Sequence, residues 1–390
     1  MHALSPAFNG AVNTLSAAEK ANTFEFASLQ EGMPVPAYKL AASLNPEPLI
    51  WWFEDKYKNF DVVKNRLAPR IRFFAYLCLS SASTIMEAYR RMISMGFWRD
   101  FGFKKPPTYE LLREFIYEKI GVARFRDFFV FLLKEITRTG ETLGIQIGER
   151  IAEDATDTYC LKCDPEAEYS GYYQHYGYKV DIVQDLEHPH LPLWYRVMGI
   201  NENEGKNLPQ AISALRAVGC KVKEVKVDGK YATYENIAYC GVNEVELKYR
   251  IQVGWTYNEK GTDENVKKTY QKYWQSPDFV PGARLQFQLR YLYEKGEIEA
   301  VGAYFRNKRT EVWKSNPDQI NSEMGERSGK MEGFYGVYKD RSLIGRRPRK
   351  RGKKEIERIV GLANLAHLFS ALISLQNGIT DNLGCLTYIT

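Results

Sequence analysis

Three acidic residues in separate parts of the chain carry the strongest chemical signal. Asp154 stands in Ile-Ala-Glu-Asp-Ala-Thr, Asp228 ends Val-Lys-Val-Asp before a glycine, and Glu332 stands in Lys-Met-Glu-Gly-Phe-Tyr. Carboxylate oxygens are hard ligands that hold Mg²⁺ and leave positions for phosphate and water. Two Mg²⁺ or Mn²⁺ ions about 3.5–4 Å apart activate the attacking oxygen and stabilise the leaving one. The three acids therefore predict a two-metal site for phosphoryl transfer.

Two predicted strands and a predicted helix would position these acids. Residues 150–161 read as a strand in which Glu153 and Asp154 point to opposite faces, and Asp154 is the better site residue because its face carries only small neighbours. Asp228 ends a predicted strand, where the following Gly229 permits close approach. Glu332 is predicted at the head of a helix that lies across the strands. In isolation, an aspartate at a strand end is usually a turn residue.

The order of predicted elements indicates a fold class. Residues 178–186 and 193–199 alternate as two further strands, and they are followed by a helix at 207–218, a strand at 222–228, a helix at 234–239 and a strand at 245–251. Three strands, a helix, a strand, a helix and a strand form the ribonuclease-H-like fold, a mixed sheet flanked by helices. Its first and fourth strands are neighbours, so Asp154 and Asp228 are expected to lie side by side.

Other segments are assigned by composition and periodicity. Residues 1–60 contain scattered prolines and predict a poorly defined N-terminal arm, whereas 61–147 read as a helical domain. The catalytic domain is expected over 148–380, interrupted at about 253–309 by a strand-rich insertion with a hairpin that turns at Lys295-Gly296. The apolar run 359–375 is short for a membrane span and predicts a packed terminal helix.

These blocks together resemble the DDE transposases of bacterial and archaeal insertion sequences, over roughly residues 60–380. Asp154 looks like the aspartate of the family's Asp-x-Thr strand, and His-Tyr-Gly-Tyr-Lys within 172–181 looks like its second strand. Val-Asp-Gly-Lys-Tyr looks like the block of the second aspartate. Glu332 and Lys339 are similar to the Glu-x6-Lys part of the family's signature.

The match around the glutamate has departures. The family's tyrosine and arginine, seven and four positions before the glutamate, are replaced here by Gly325 and Ser328. Arg327 stands one place out of register, and Glu326 is the alternative glutamate.

The resemblance implies a DNA transposase that hydrolyses the element's 3′ ends and then joins each freed 3′-hydroxyl to target DNA. It also implies double-stranded DNA as partner, a helical domain that binds the transposon ends, and a homodimer or larger assembly that holds two ends together. Two alternatives stay open: a catalytically inactive DNA-binding relic, and a nuclease of the same fold that cuts without joining.

Several basic residues are candidates for DNA contact. Lys339 and Arg327 would approach the scissile phosphate or be solvated helix residues, and His175 and Lys179 lie on the strand beside Asp154, where a lysine can also protect a sheet edge. A dense basic run predicts salt-dependent binding to a phosphate backbone, or else a solvated loop. This run contains Arg346, Arg347, Arg349, Lys350 and Arg351.

The totals are compatible with such a protein. The chain has 390 residues and a net charge of +6, which favours a polyanion only where the charge is clustered. Six scattered cysteines and the absence of a basic and apolar leader predict reduced thiols in a cytoplasmic protein without a membrane segment. Cys160-x2-Cys163 with His188 and His190 could form a zinc site, but only one residue separates the two histidines and they lie on a different strand, away from the usual zinc-finger spacing. Trp255 and Trp274 could stack on a flipped base or pack in a core.

Overall fold

The computed structural model describes residues 34–80, 82, 84–251, 256–341 and 352–390. The strands are β1 Arg150–Tyr159, β2 Glu168–Ser170, β3 His175–Asp185, β4 Pro192–Gly199, β5 Glu224–Val227 and β6 Glu246–Lys248. The α-helices are α1 Ala37–Ser43, α2 Glu47–Ile50, α3 Phe60–Val63, α4 Ala68–Leu79, α5 Ile85–Met95, α6 Tyr109–Glu114, α7 Phe125–Thr142, α8 Leu208–Ala217, α9 Tyr234–Val242, α10 Asp263–Gln271, α11 Leu285–Glu294, α12 Ile298–Ser315, α13 Pro317–Arg341 and α14 Lys353–Gln376.

The strands form one mixed sheet in the order β2-β3-β1-β5-β6, and β4 also pairs with β3. β3 runs antiparallel to β1 and β4, whereas β5 runs parallel to both β1 and β6. The predicted mixture of helices and a mixed sheet is therefore confirmed, and β1, β3, β4 and β5 lie where strands were predicted.

Because side chains alternate along a strand, each sheet face has its own set of residues. Asp154 on β1 lies on the face that α13 crosses, since the Arg327 side chain of α13 pairs with it at 2.8 Å. Glu153 lies on the opposite face, together with Asp181 of β3. Asn207, which directly precedes α8, donates a hydrogen bond to Asp181 there.

The helices before the sheet are packed into the same hydrophobic core as the sheet. Phe74 of α4 and Phe128 of α7 both contact Phe369 of α14. The described part of the predicted N-terminal arm is also ordered into helices, with Leu40 and Phe53 at 3% and 0% exposure. Residues 1–33 of that arm lie outside the described residues.

The predicted strand-rich insertion is wrong, because the described part of 253–309 is helical. The expected hairpin strands are α11 and α12, although the turn between them does fall at Gly296, whose φ is 84°. The helices share a separate small core that includes Leu289, Leu292 and Val301. The three-residue spacing of Leu289 and Leu292 places both on the inward face of α11, and the many aromatic residues made the segment resemble strands.

The predicted packed terminal helix is confirmed as α14. It is long and apolar enough to cross a membrane, yet 89% of its apolar window is buried inside the protein, as in the core helix of a soluble protein. His367 illustrates this burial: its Nδ1 lies 2.7 Å from the Gly384 carbonyl, and burial lowers the pKa of His367 to about 3.

Candidate active site

Asp154 and Asp228 are brought together by the parallel pairing of β1 and β5. The register pairs Glu153 with Val227, the residues directly before the two aspartates. Both aspartates therefore follow matched positions on neighbouring strands, and both lie on the same side of the sheet. Asp228 is exposed, whereas Asp154 is partly buried, with 25% of its side chain exposed. Their adjacency was expected from the element order.

The Asp154 carboxylate is held on both oxygens. Oδ1 accepts a hydrogen bond from the Ala155 N–H at 2.9 Å, and Oδ2 pairs with Nη2 of Arg327 at 2.8 Å. Burial raises the pKa of Asp154, and the nearby charge of Asp228 raises it further. The cation of Arg327, the Ala155 N–H and the charge of Lys230 act to lower it. The net shift is upward, as expected for two acids in one partly desolvated site.

The helix α13 does not bring Glu332 to these aspartates. Glu332 lies in the middle of this 25-residue helix, not at its head as predicted, and its side chain is exposed. The face toward the sheet instead carries Arg327, Met331 and Tyr335, which are spaced four residues apart. Met331 is 1% exposed, and the Tyr335 hydroxyl donates to the Asp154 carbonyl at 2.6 Å. In the described parts of the chain, no group of three or more His, Cys, Asp or Glu residues is arranged to hold a metal ion.

The alternative glutamate, Glu326, belongs to a different cluster. Its carboxylate pairs with Arg150 at 3.0 Å, with Lys330 at 2.8 Å and with Lys226. Burial acts to raise the pKa of Glu326, but the hydrogen bonds from Lys226 and Lys330 lower it to about 2. Glu326 is thus a bridge between α13 and the sheet.

Two of the predicted DNA contacts meet on a residue that the sequence did not single out, Asp157. His175 Nε2 lies 2.8 Å from Asp157 Oδ2, and Lys339 Nζ lies 3.1 Å from Asp157 Oδ1. The His175 ring also stacks on Tyr159 with centroids 4.0 Å apart. Burial acts to raise the pKa of Asp157, but His175 and Lys339 lower it overall. Residues three apart on a strand point to opposite faces, so the spacing from Asp154 gave no signal for Asp157.

Lys179, a predicted DNA contact, is committed to a buried ion pair. Lys179 is 7% exposed, and its Nζ lies 2.7 Å from Glu204 Oε2 and donates to the Glu202 carbonyl at 2.9 Å. A lysine committed to a buried ion pair cannot reach a phosphate without leaving that pair uncompensated. Arg327 is similarly buried at 8% and is paired with Asp154.

Other candidates lie outside the described residues or away from the site. The basic residues Arg346, Arg347, Arg349, Lys350 and Arg351 and the aromatic Trp255 are outside the described residues. Trp274 is 67% exposed after α10, and Cys160 and Cys163 are free thiols.

A buried polar network, not foreseen from the sequence, lies behind the two aspartates and consists of Glu153, Asp181, Asn207 and Tyr231. Asp181 accepts hydrogen bonds from the Tyr231 hydroxyl at 2.9 Å and from Asn207 Nδ2 at 2.7 Å. Glu153 is fully buried and neither of its carboxylate oxygens meets a donor. Its neighbour is the Asp181 carboxylate, so a hydrogen bond between them requires a proton. Burial, followed by the charge of Asp181, raises the pKa of Glu153 well above its usual range.

The donor set fits one divalent cation. Mg²⁺ is commonly held by one or two carboxylates together with water and phosphate oxygens, and Asp154 and Asp228 supply two. Comparison with protein-family models finds no match to this chain, and the search of curated proteins also finds none.

Proposed function

We propose that this chain is a DNA transposase of the DDE type, which cleaves transposon ends in a metal-dependent reaction and joins them to target DNA. The observation that carries the proposal is the juxtaposition of Asp154 and Asp228 at matched positions on β1 and β5. Two-metal phosphoryl transfer uses carboxylates in this kind of arrangement.

The sheet supports the finer fold assignment on which this proposal depends. When the short β2 is set aside, the chain order is three antiparallel strands, a helix, a parallel strand, a helix and a second parallel strand. The first and fourth of these strands are neighbours, as expected of a ribonuclease-H-like core. The long helix α13 crosses the face that carries Asp154.

Each side chain then has a role that its contacts permit. Asp154 and Asp228 would hold the Mg²⁺ or Mn²⁺ ion, which supplies charge stabilisation at the scissile phosphate and activates the attacking oxygen. The Ala155 N–H fixes the carboxylate of Asp154, and the Tyr335 hydroxyl fixes its backbone carbonyl. Arg327 pairs with Asp154, and guanidinium groups bind phosphate well. Arg327 would therefore reach a DNA phosphate only once the metal ion compensates the charge of Asp154 in its place.

One observation favours a second candidate, a DNA-binding relic without catalysis. Two ions at one site require more carboxylate oxygen than two aspartates provide, and Glu332 is exposed on α13, away from the pair. In this candidate the pairing of Arg327 with Asp154 is permanent.

The proposal also covers partners and location. Both element ends must be held at once, so the active species would be a homodimer or larger assembly on double-stranded DNA. We place it in the cytoplasm, associated with the nucleoid.

The test compares wild-type protein with Asp228→Ala and with Asp381→Ala, a control at an exposed aspartate. Each is incubated with labelled duplex that carries the element's ends, with Mg²⁺ or Mn²⁺ and with a target plasmid. Metal-dependent nicking at the boundary and joined product, both lost only in Asp228→Ala, are the expected results.

Three other outcomes have distinct meanings. Cleavage without joined product would indicate a nuclease. Binding to the ends without cleavage in any variant would favour the relic. Cleavage that survives Asp228→Ala would show that the site is elsewhere.

A further inference from the structure

The buried network links the two aspartates through a single carboxylate. Tyr231 is the third residue after Asp228 and belongs to the turn at 229–231 that follows β5. Its hydroxyl crosses to β3 and donates to Asp181 Oδ1 at 2.9 Å. Asp181 faces Glu153, which directly precedes Asp154 on β1. The position of Asp228 relative to Asp154 is therefore coupled to the contact between Tyr231 and Asp181.

The turn that carries Asp228 has further anchors, all behind the sheet. Asn236 Nδ2 donates to the Tyr231 carbonyl at 2.8 Å and to the Gly205 carbonyl at 2.6 Å. Lys230 Nζ pairs with Glu204 Oε1 at 2.6 Å. Asp228 itself is exposed and accepts only a local hydrogen bond in the described structure, from Gly229 N–H at 2.7 Å. Its placement thus depends on the anchored residues that follow it.

Stability alone does not account for this network. Tyr231, Asp181 and Glu153 are each 0% exposed, and burying carboxyl groups without a compensating cation is unfavourable. Apolar residues of similar volume at such positions are often neutral or stabilising. Residues behind a metal site that orient its ligands, in contrast, commonly change metal affinity about 10–100-fold when altered.

We propose that Tyr231 and Asp181 are positioning residues, which hold Asp228 beside Asp154 in the geometry that binds a divalent cation. The inference rests on the proposed function, because it assumes that these two aspartates are metal ligands. It adds two residues, on the opposite sheet face from Asp154, whose effect is exerted through hydrogen bonding and not through contact with metal or DNA.

The experiment measures Mn²⁺ binding directly, from the electron paramagnetic resonance signal of free Mn²⁺, so that it does not depend on catalysis. The full-length variants are Tyr231→Phe, Asp181→Asn and Asp228→Ala. Tyr178→Phe is the matched control, since Tyr178 is 1% exposed on the same strand as Asp181 but on the other sheet face. Thermal unfolding of each variant verifies that it is folded.

Tyr231→Phe is expected to weaken Mn²⁺ binding about 10-fold or more, whereas Tyr178→Phe is expected to bind like wild type. Asp181→Asn offers only one oxygen to its two donors, the Tyr231 hydroxyl and Asn207 Nδ2, so it should also weaken Mn²⁺ binding, by less than Tyr231→Phe. A role confined to folding would change the melting temperature of Tyr231→Phe and leave the Mn²⁺ affinity of the folded protein unchanged.

The two ways of failing are distinguishable. If wild type binds Mn²⁺ and Asp228→Ala does not, but Tyr231→Phe binds like Tyr178→Phe, the positioning role is overturned and the metal site stands. If wild type binds no Mn²⁺, the proposed function and the positioning role are overturned together.

Discussion

The most direct physical prediction concerns Glu153, whose buried carboxyl group should make folding stability depend on pH. Its pKa in the folded protein is well above the ordinary value of 4.5, first because of burial and second because of the Asp181 charge. The folded protein therefore keeps a proton that the unfolded chain releases. This contribution to stability is fully present below about pH 4.5 and is lost as pH rises toward the folded-state pKa.

Glu153→Gln removes the Glu153 carboxyl and leaves an amide that can donate to Asp181, whose own pKa is raised by burial to about 7. One proton bound only in the folded state changes the free energy of unfolding by about 1.4 kcal/mol per pH unit. Between about pH 5 and about pH 8, the variant should therefore gain up to about 1.4 kcal/mol per pH unit relative to wild type, for as long as the folded protein keeps the Glu153 proton. The two proteins should be almost equally stable at the acidic end.

Urea unfolding of both proteins across this pH range is the assay. The control is Glu141→Gln, an exposed glutamate near the end of α7 that should follow the wild-type profile. Parallel profiles for wild type and Glu153→Gln would refute the reasoning, because they would show that Glu153 is ionised in the folded protein at neutral pH.

Three further predictions concern helices. Gly329→Ala in α13 should raise the free energy of unfolding by about 1 kcal/mol, because an added Cβ meets nothing within 4 Å and alanine favours helix; a loss in urea unfolding would contradict this. Gly302→Ala in α12 should instead lower it by about 1–3 kcal/mol, since its Cβ would lie 2.6 Å from the Tyr234 carbonyl, and unchanged stability would show that the helices can separate. Glu332→Ala should leave the free energy of unfolding within about 0.5 kcal/mol of wild type, because the side chain is exposed. The proposed function predicts that the same variant loses nicking in the cleavage assay. Normal nicking would show that Glu332 is not part of the active site.

The sheet was predictable because its signals are local. Alternation of apolar residues located β3 and β4, the extended run at 150–161 located β1, and the glycine after Asp228 marked the end of β5. Neighbouring strands then followed from the order of elements, which was enough to bring Asp154 and Asp228 together.

The position of α13 was missed although a local signal existed. The helix begins at Pro317, and the Asn316 side chain accepts a hydrogen bond from the Gln319 N–H at 3.2 Å. An asparagine followed by proline is a typical helix start. Reading it would have placed Glu332 in the helix interior and Met331 on the buried face.

The buried network could not be predicted in the same way. Glu153 was recognised as pointing away from Asp154, but its partners come from β3 and from the turn after β5. Contacts between residues so far apart in the sequence cannot be predicted from local patterns, because they depend on how the strands pack against α8 and the turn. For the same reason Lys179 looked like a surface lysine until its buried partner Glu204 was located.

The proposed chemistry depends on whether Glu332 can act as a third metal ligand. The glycine content of α13, the helix that carries Glu332, bears on this question. Gly325, Gly329, Gly333 and Gly336 all lie in this helix, and within the described residues an added Cβ at any of them would meet nothing within 4 Å. No close contact explains them, and each costs about 1 kcal/mol of helix stability relative to alanine. A helix weakened in this way is held on the sheet by its inward side chains, such as Met331. Glu332 is the next residue, so a rotation of about 100° about the helix axis would move its carboxylate to the buried face. Catalysis with Glu332 therefore requires α13 to repack when DNA and metal bind, whereas a relic requires no such change.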